Sequence, residues 1–200
     1  MSGWLLFGVL AWLYGLSLLK RAHLPAFYFI WGSVGLFFIL IALADPYWIW
    51  FQKQLVVRGA GGLGQTLKMA QVLPRLMLIE VVHGPTINFL SIDYECSGII
   101  EMTAFWGLVA FYPSFSSQEK VFYGLGGALW IYCANVIRLL LVVTLVFFGG
   151  DAWFFAAHAI IGRLVFYLLV IVLYYHVFTY SQVSQGAYQA AQRFLAGGRS

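Results

Sequence analysis

Charge is what this chain has least of. Only 9% of its 200 residues are Asp, Glu, Lys or Arg, against about 25% in a soluble domain. A surface so poor in charge cannot be held in water, which excludes an ordinary soluble globular domain. Cysteine is scarce too. Cys96 and Cys133 are the only two. That number argues against a disulfide framework and a zinc site, although one of the two could be a working thiol. No metal and no cofactor is expected. The formal charge of +4 is spread thinly, with no basic run interleaved with aromatics. This pattern fits contact with anionic lipid and argues against nucleic-acid binding.

Apolar sequence fills the space that charge leaves. Hydrophobic residues make up 62% of the chain and the mean hydropathy is +0.88. Eight Trp and twelve Tyr fall mostly near the ends of apolar runs, as interfacial aromatic belts do. The expected fold is all-α: a polytopic transmembrane helical bundle forming one membrane domain, with no internal repeat.

Five spans are predicted, over residues 3–19, 26–44, 98–112, 121–148 and 153–178. The first run has Lys20, Arg21 and His23 after it and no charge before it. A signal peptide has the reverse order, so a retained helix is expected. Asp45-Pro46 ends the second run, because the residue before proline disfavours helix. Residues 45–97 form an interfacial segment of mixed charge. Within it, Gly59-Ala60-Gly61-Gly62-Leu63-Gly64 reads as a flexible break. Thr66 to Val82 reads as an amphipathic interfacial helix, and Ile87 to Tyr94 as an extended piece. The positive-inside rule puts Lys20, Arg21, Lys120, Arg193 and Arg199 inside. The N-terminus and the 45–97 segment are then extracytoplasmic.

Ionisable groups inside apolar spans are costly and point to function. Arg138 lies 17 positions into the fourth span, about 25 Å along a ~30 Å core. His158 lies about a turn and a half into the fifth span from the outside. Cys96 stands at the outer entrance of the third. These three therefore share one depth. A thiol can attack a carbonyl, an imidazole can move protons, and a fixed cation can stabilise an oxyanion. Asn135 shares a face with Arg138 at i, i+3, and Gly162 shares one with His158 at i, i+4. Gly162 would let a neighbouring helix come close.

Each residue also has a plain structural role open to it. A cysteine at a helix start is often a small apolar residue. An intramembrane arginine can simply pair with a carboxylate. An isolated histidine is often a hydrogen-bonded packing residue. Glu95 and Glu101 could cap the helix or act directly. Cys133, in mid-span, reads as packing, and Arg163 points away from His158. His83 precedes Gly84-Pro85 and reads as part of a turn. His176 lies roughly 27 Å deeper than His158. It cannot share the site.

Taken together, these residues resemble the exosortase/archaeosortase family. Glu95-Cys96-Ser97-Gly98-Ile99 resembles its Cys-Ser-Gly motif, and Asn135-Val136-Ile137-Arg138 its Asn-x-x-Arg motif. His158-Ala159-Ile160-Ile161-Gly162 resembles its third motif, a His followed by Gly at i+4. The Glu before the Cys and the Ile-Ile-Glu after it are most like the small variants of Gram-positive bacteria. Set beside the larger members of that family, the chain is short, and it is expected to do without several of their N-terminal spans. The resemblance implies a membrane-embedded cysteine transpeptidase. Its substrates would be proteins ending in a short motif, a transmembrane helix and a basic tail, passed on to a surface acceptor. By position, Cys96 is the nucleophile, Arg138 the oxyanion stabiliser and His158 the acid/base. Glu95, Ser97, Gly98, Glu101, Asn135 and Gly162 are supporting residues. Two other classes remain open: a non-catalytic partner of a surface-protein or polysaccharide export system, and an ion pathway through Arg138 and His158.

Overall fold

The structure, a computed structural model, describes residues 3–73, 75–83, 86–94 and 96–180. Two apolar helices come first, α1 (Gly3–Arg21) and α2 (Pro25–Ala44). Then come α3 (Tyr47–Thr66) and the strands β1 (Ala70–Leu73), β2 (Leu78–His83) and β3 (Thr86–Ser91). The helices α4 (Ile99–Phe111) and α5 (Ser117–Gly149) follow. A last rod contains α6 (Asp151–Phe155), a π-helical segment Ala156–Ile161 and α7 (Gly162–Tyr174). A second π-helical segment, Tyr175–Tyr180, ends it.

Four of these helical rods are long and apolar enough to cross a bilayer: Gly3–Arg21, Pro25–Ala44, Ser117–Gly149 and Asp151–Thr179. α4 is a shorter apolar helix. Its 13 residues rise about 20 Å. The expected all-α polytopic bundle is the fold observed, with a small sheet added. Lipid is the natural covering for its surface. α1 buries only Leu16 inside the protein, and Trp4, Phe7, Leu10 and Tyr14 all face outward. α1 is joined to α2 by a reciprocal pair of bonds: Trp12 Nε1 donates to the Trp31 carbonyl at 3.0 Å, and Trp31 Nε1 to that of Trp12 at 3.2 Å.

The ends of the bundle differ in chemistry. One end gathers the end of α1, the start of α2, the end of α4 and the start of α5, with Lys20, Arg21, His23 and Lys120. Ser116 caps α5 there, its Oγ accepting from the Glu119 amide, while the Glu119 carboxylate accepts from the Ser116 amide at 2.7 Å. Lys120 Nζ donates to the Ala110 carbonyl at 2.8 Å. The last rod returns to this end, where Tyr112 donates to the Phe178 carbonyl at 3.2 Å. The opposite end carries α3 and the sheet. α5 has 33 residues and so rises about 50 Å, well beyond a ~30 Å core. α3 packs along the C-terminal half of α5, from Tyr132 and Val136 up to Val143, and β2 joins it there.

Two expectations for the interfacial segment are overturned. Residues Gly59 to Gly64 do not break the chain, because α3 runs through them. Their small size serves packing: a side chain at Gly61 would meet Val72 at 2.7 Å, and one at Gly64 would meet Ala70 at 3.1 Å. Thr66 to Val82 is not an amphipathic helix. After Thr66 it forms β1 and β2, paired antiparallel with Ala70 opposite Val81 and Leu73 opposite Leu78. β-branched Val72, Ile79, Val81 and Val82 suit a pleated surface, and burying Ile79 and Val81 against α3 and α5 favours strand over helix. The extended piece expected at 87–94 is observed as β3, which pairs with β2 in the order β1-β2-β3. His83 pairs across the hairpin with Thr86, while Gly84 and Pro85 lie outside the described residues.

Two apolar clusters make the core. One joins α3, the sheet and the C-terminal half of α5 through Val56, Val57, Ile79, Leu90, Leu139 and Val143. The other joins α4, α5 and α7 through Phe105, Val109, Ile131, Phe166 and Val170. Cys96 belongs to the first and Arg138 lies over the ring of Phe166 in the second. The polar residues therefore meet at the seam.

Candidate active site

Three separate elements deliver the site. Cys96 sits in the turn before α4, held there by backbone bonds. Its own amide donates to the Asp93 carbonyl at 3.1 Å, and the Ser97 amide to that of Tyr94 at 3.2 Å. Ser97 is buried and serves the turn twice. Its hydroxyl donates to the Tyr94 carbonyl at 2.7 Å and accepts from the Ile99 amide at 3.3 Å. Gly98 then turns the chain into α4 with φ of +76°, a conformation glycine adopts without the Cβ clash of other residues.

α5 supplies the next two groups. Asn135 Nδ2 donates to the Cys96 carbonyl at 2.7 Å, and Arg138 Nη2 donates to Cys96 Sγ at 3.3 Å. The i, i+3 spacing read from the sequence thus points both side chains at one turn. Asn135 is 1% exposed and Arg138 3%. The Arg138 guanidinium lies 5.7 Å from the centre of the Phe166 ring, within cation–π range.

The last rod supplies His158, whose Nε2 lies 3.8 Å from Cys96 Sγ. It sits in the π-helical segment Ala156–Ile161. Such single widened turns occur often at functional sites. Its ring is set by stacking on Phe154, at 6.2 Å and 12° between planes. Gly162 closes the arrangement. A Cβ there would lie 2.9 Å from the Ala157 carbonyl oxygen, 2.9 Å from Val142 and 3.4 Å from Arg138 Cγ. Its bareness is what lets the rod approach α5.

Four buried polar atoms around this cluster have no hydrogen-bond partner among the described residues: Glu101 Oε2, Asn135 Oδ1, Arg138 Nε and His158 Nδ1. Buried polar atoms are nearly always paired, and exceptions gather where chemistry is done. Tyr94 stands nearby, outside the spans. Partial burial, then the carboxylates of Asp45 and Glu101, hold its phenol above the ordinary value, so it stays a neutral donor.

The structure therefore brings Cys96, Arg138 and His158 together, with Ser97, Gly98, Asn135 and Gly162 in contact around them. Glu101 is half-buried on α4 and makes no hydrogen bond to the three through Oε2. Glu95 lies outside the described residues. Cys133 is exposed on α5, away from the core. Arg163 is exposed. His176 is at the other end, its Nδ1 2.9 Å from the Val172 carbonyl. The reading from sequence missed a clasp, Asn88 Nδ2 donating to Asp151 at 2.7 Å, which ties β3 to the start of the last rod. No local pattern marks a bond spanning 63 positions.

Fold and site together define a polytopic membrane protein with a thiol, an imidazole and a guanidinium gathered at one seam of the bundle. The family model described as transmembrane exosortase (Exosortase_EpsH) matches residues 1–175, and the chain belongs to that family. No curated protein matches the chain, and no solved structure matches it.

Proposed function

We propose that the chain is a membrane-embedded cysteine transpeptidase acting on the C-terminal sorting signals of secreted proteins. One observation carries this reading: a single sulfur, Cys96 Sγ, lies 3.3 Å from Arg138 Nη2 and 3.8 Å from His158 Nε2. His158 takes the thiol proton as Sγ attacks the scissile carbonyl carbon. The C=O π pair moves onto oxygen, and Arg138 stabilises that charge. The tetrahedral intermediate collapses with loss of the amine, which receives its proton from His158, and a thioester remains. An acceptor nucleophile then gives His158 its proton and attacks the thioester carbon; the second tetrahedral intermediate expels the Cys96 thiolate, which takes that proton from His158, so both residues return to their starting state. The unpaired Asn135 Oδ1, Arg138 Nε and Glu101 Oε2 offer the entering peptide hydrogen bonds that the resting protein leaves unmade.

The Ile-Ile-Glu after Gly98 supports placing the chain among small variants like those of Gram-positive bacteria. The basic residues at one end of the bundle support a cytoplasmic setting for that end. The site then faces the extracytoplasmic side of the plasma membrane, where secreted substrates pass. The test is trapping. Purified protein is mixed with a substrate carrying motif, helix and basic tail, quenched in acid and mapped by mass spectrometry. A hydroxylamine-labile acyl adduct is expected on Cys96. An adduct on another residue would reassign the nucleophile.

A further inference from the structure

A second site lies on the opposite side of α3 from the core, in a groove of about 590 Å³ lined by Gln54, Arg58, Leu73, Arg75 and Leu76. We propose that this groove binds the headgroup of an anionic phospholipid, with Arg58 and Arg75 on the phosphate and Leu73 and Leu76 against the acyl chains.

The groove lies at headgroup depth. α3 rises first along α4, with Trp48 beside Trp106 and Gln52 bonded to Met102, and then along α5 up to Gly64 near Val143. Gly59, the neighbour of Arg58, packs against Tyr132 and Val136. Val136 stands about 28 Å up α5 from Ser117, where a ~30 Å hydrocarbon core ends and headgroups begin. The direction of β1 brings further residues to the same level. β1 runs back down α3, with Ala70 beside Gly64 and Val72 beside Gly61. The β1–β2 turn is thereby carried down to the level of Arg58. Arg75 and Leu76 sit in that turn, and Leu76 is 66% exposed. A leucine held out at this depth fits lipid better than water.

The groove is also positively charged. Two guanidinium groups share one groove and no carboxylate lines it among the described residues. Like charges held together repel, and a phosphate between them removes that cost. Guanidinium suits phosphate geometry through its planar fork. The mixture of two cations with two leucines matches an amphiphile, where a free anion would use only the first pair.

The experiment uses the full chain in neutral detergent, with native mass spectrometry of bound dioleoyl phosphatidylglycerol against dioleoyl phosphatidylcholine. Each basic residue near a membrane surface favours anionic lipid by an amount worth about fivefold. The unaltered protein should therefore prefer phosphatidylglycerol by about thirtyfold. R58Q/R75Q should bring the two lipids near parity, and R58K/R75K should keep most of the preference. Were the double Gln variant not to fold, R75Q alone, in the turn, should lose about fivefold. Leu76→Asn should weaken lipid binding and leave inorganic phosphate binding unchanged. An undiminished preference in folded R58Q/R75Q would overturn the proposal. So would full displacement of the lipid by millimolar inorganic phosphate, which would mark a site for the free anion. None of these readouts depends on peptide processing.

Discussion

Gly162→Ala is the sharpest perturbation of the site that leaves every reacting group in place. The added methyl would stand 2.9 Å from Val142 and 2.9 Å from the Ala157 carbonyl oxygen. Carbon–carbon contacts favour about 3.5–4.0 Å, so the rod must withdraw from α5 by about 0.5–1 Å. The Ala157 oxygen lies five residues back in the same rod, so that contact has to be relieved by the π-helical turn itself. Overpacking of this kind costs about 1–3 kcal/mol. The larger effect is on geometry. His158 sits one turn before Gly162 and its Nε2 is already 3.8 Å from Cys96 Sγ. A displacement of about 1 Å at a reacting pair can cost about 10²-fold. Substrate processing should fall by about that factor while the protein remains inserted. The assay is the rate of the substrate mobility shift in cells, paired with thermal unfolding of purified protein. Gly126→Ala is the control, because its Cβ would meet nothing within 4 Å, and it should process normally. Folded Gly162→Ala protein working at half the normal rate or better would refute the argument from distance.

His158→Ala and Arg138→Lys should both lose acyl transfer, by about 10²–10⁴-fold and about 10²–10³-fold respectively, but only His158→Ala should change the shape of the pH–rate profile in nanodiscs. An unchanged profile would reassign the base, with Glu101 next in line. Asn135→Leu removes the donor to the buried Cys96 carbonyl and should cost about 1–3 kcal/mol of stability as well as activity. Unfolding in detergent checks it, and a loss of activity without a loss of stability would show that Asn135 does more than hold the turn. Gln65→Cys, at the sheet end of α3, should react with a membrane-impermeant maleimide on intact cells, whereas labelling only after lysis would invert the orientation.

The long apolar runs were legible because lipid demands them. A span must be apolar over about 20 residues whatever it packs against, so α1, α2, α5 and the last rod stand out. The site was legible for a related reason. Arg138 and His158 are costly in an apolar setting, and counting helical rise from the loop ends put both near the depth of Cys96. Their meeting on one sulfur needed the structure, since rise fixes depth but does not say which faces turn inward. The segment after α2 was harder to read. Its glycines look like a break in isolation, yet Gly61 and Gly64 are small because β1 lies against them. Ala70 to Val82 has apolar residues at spacings that suit either a helix or two short strands, and packing on α3 and α5 decides. The π-helical turn at His158 has no local signature.

The central claim is that the sulfur of Cys96 does the chemistry. Its most direct measurement is the processing rate in cells of a protein bearing the sorting signal, with Cys96→Ala and Cys133→Ala compared at matched membrane levels. Cys96 is 3% exposed at the seam with Arg138 and His158 beside it, and Cys133 lies exposed on α5. Cys96→Ala should abolish processing and Cys133→Ala should leave it at the normal rate. Normal processing by inserted Cys96→Ala protein would contradict thiol catalysis outright.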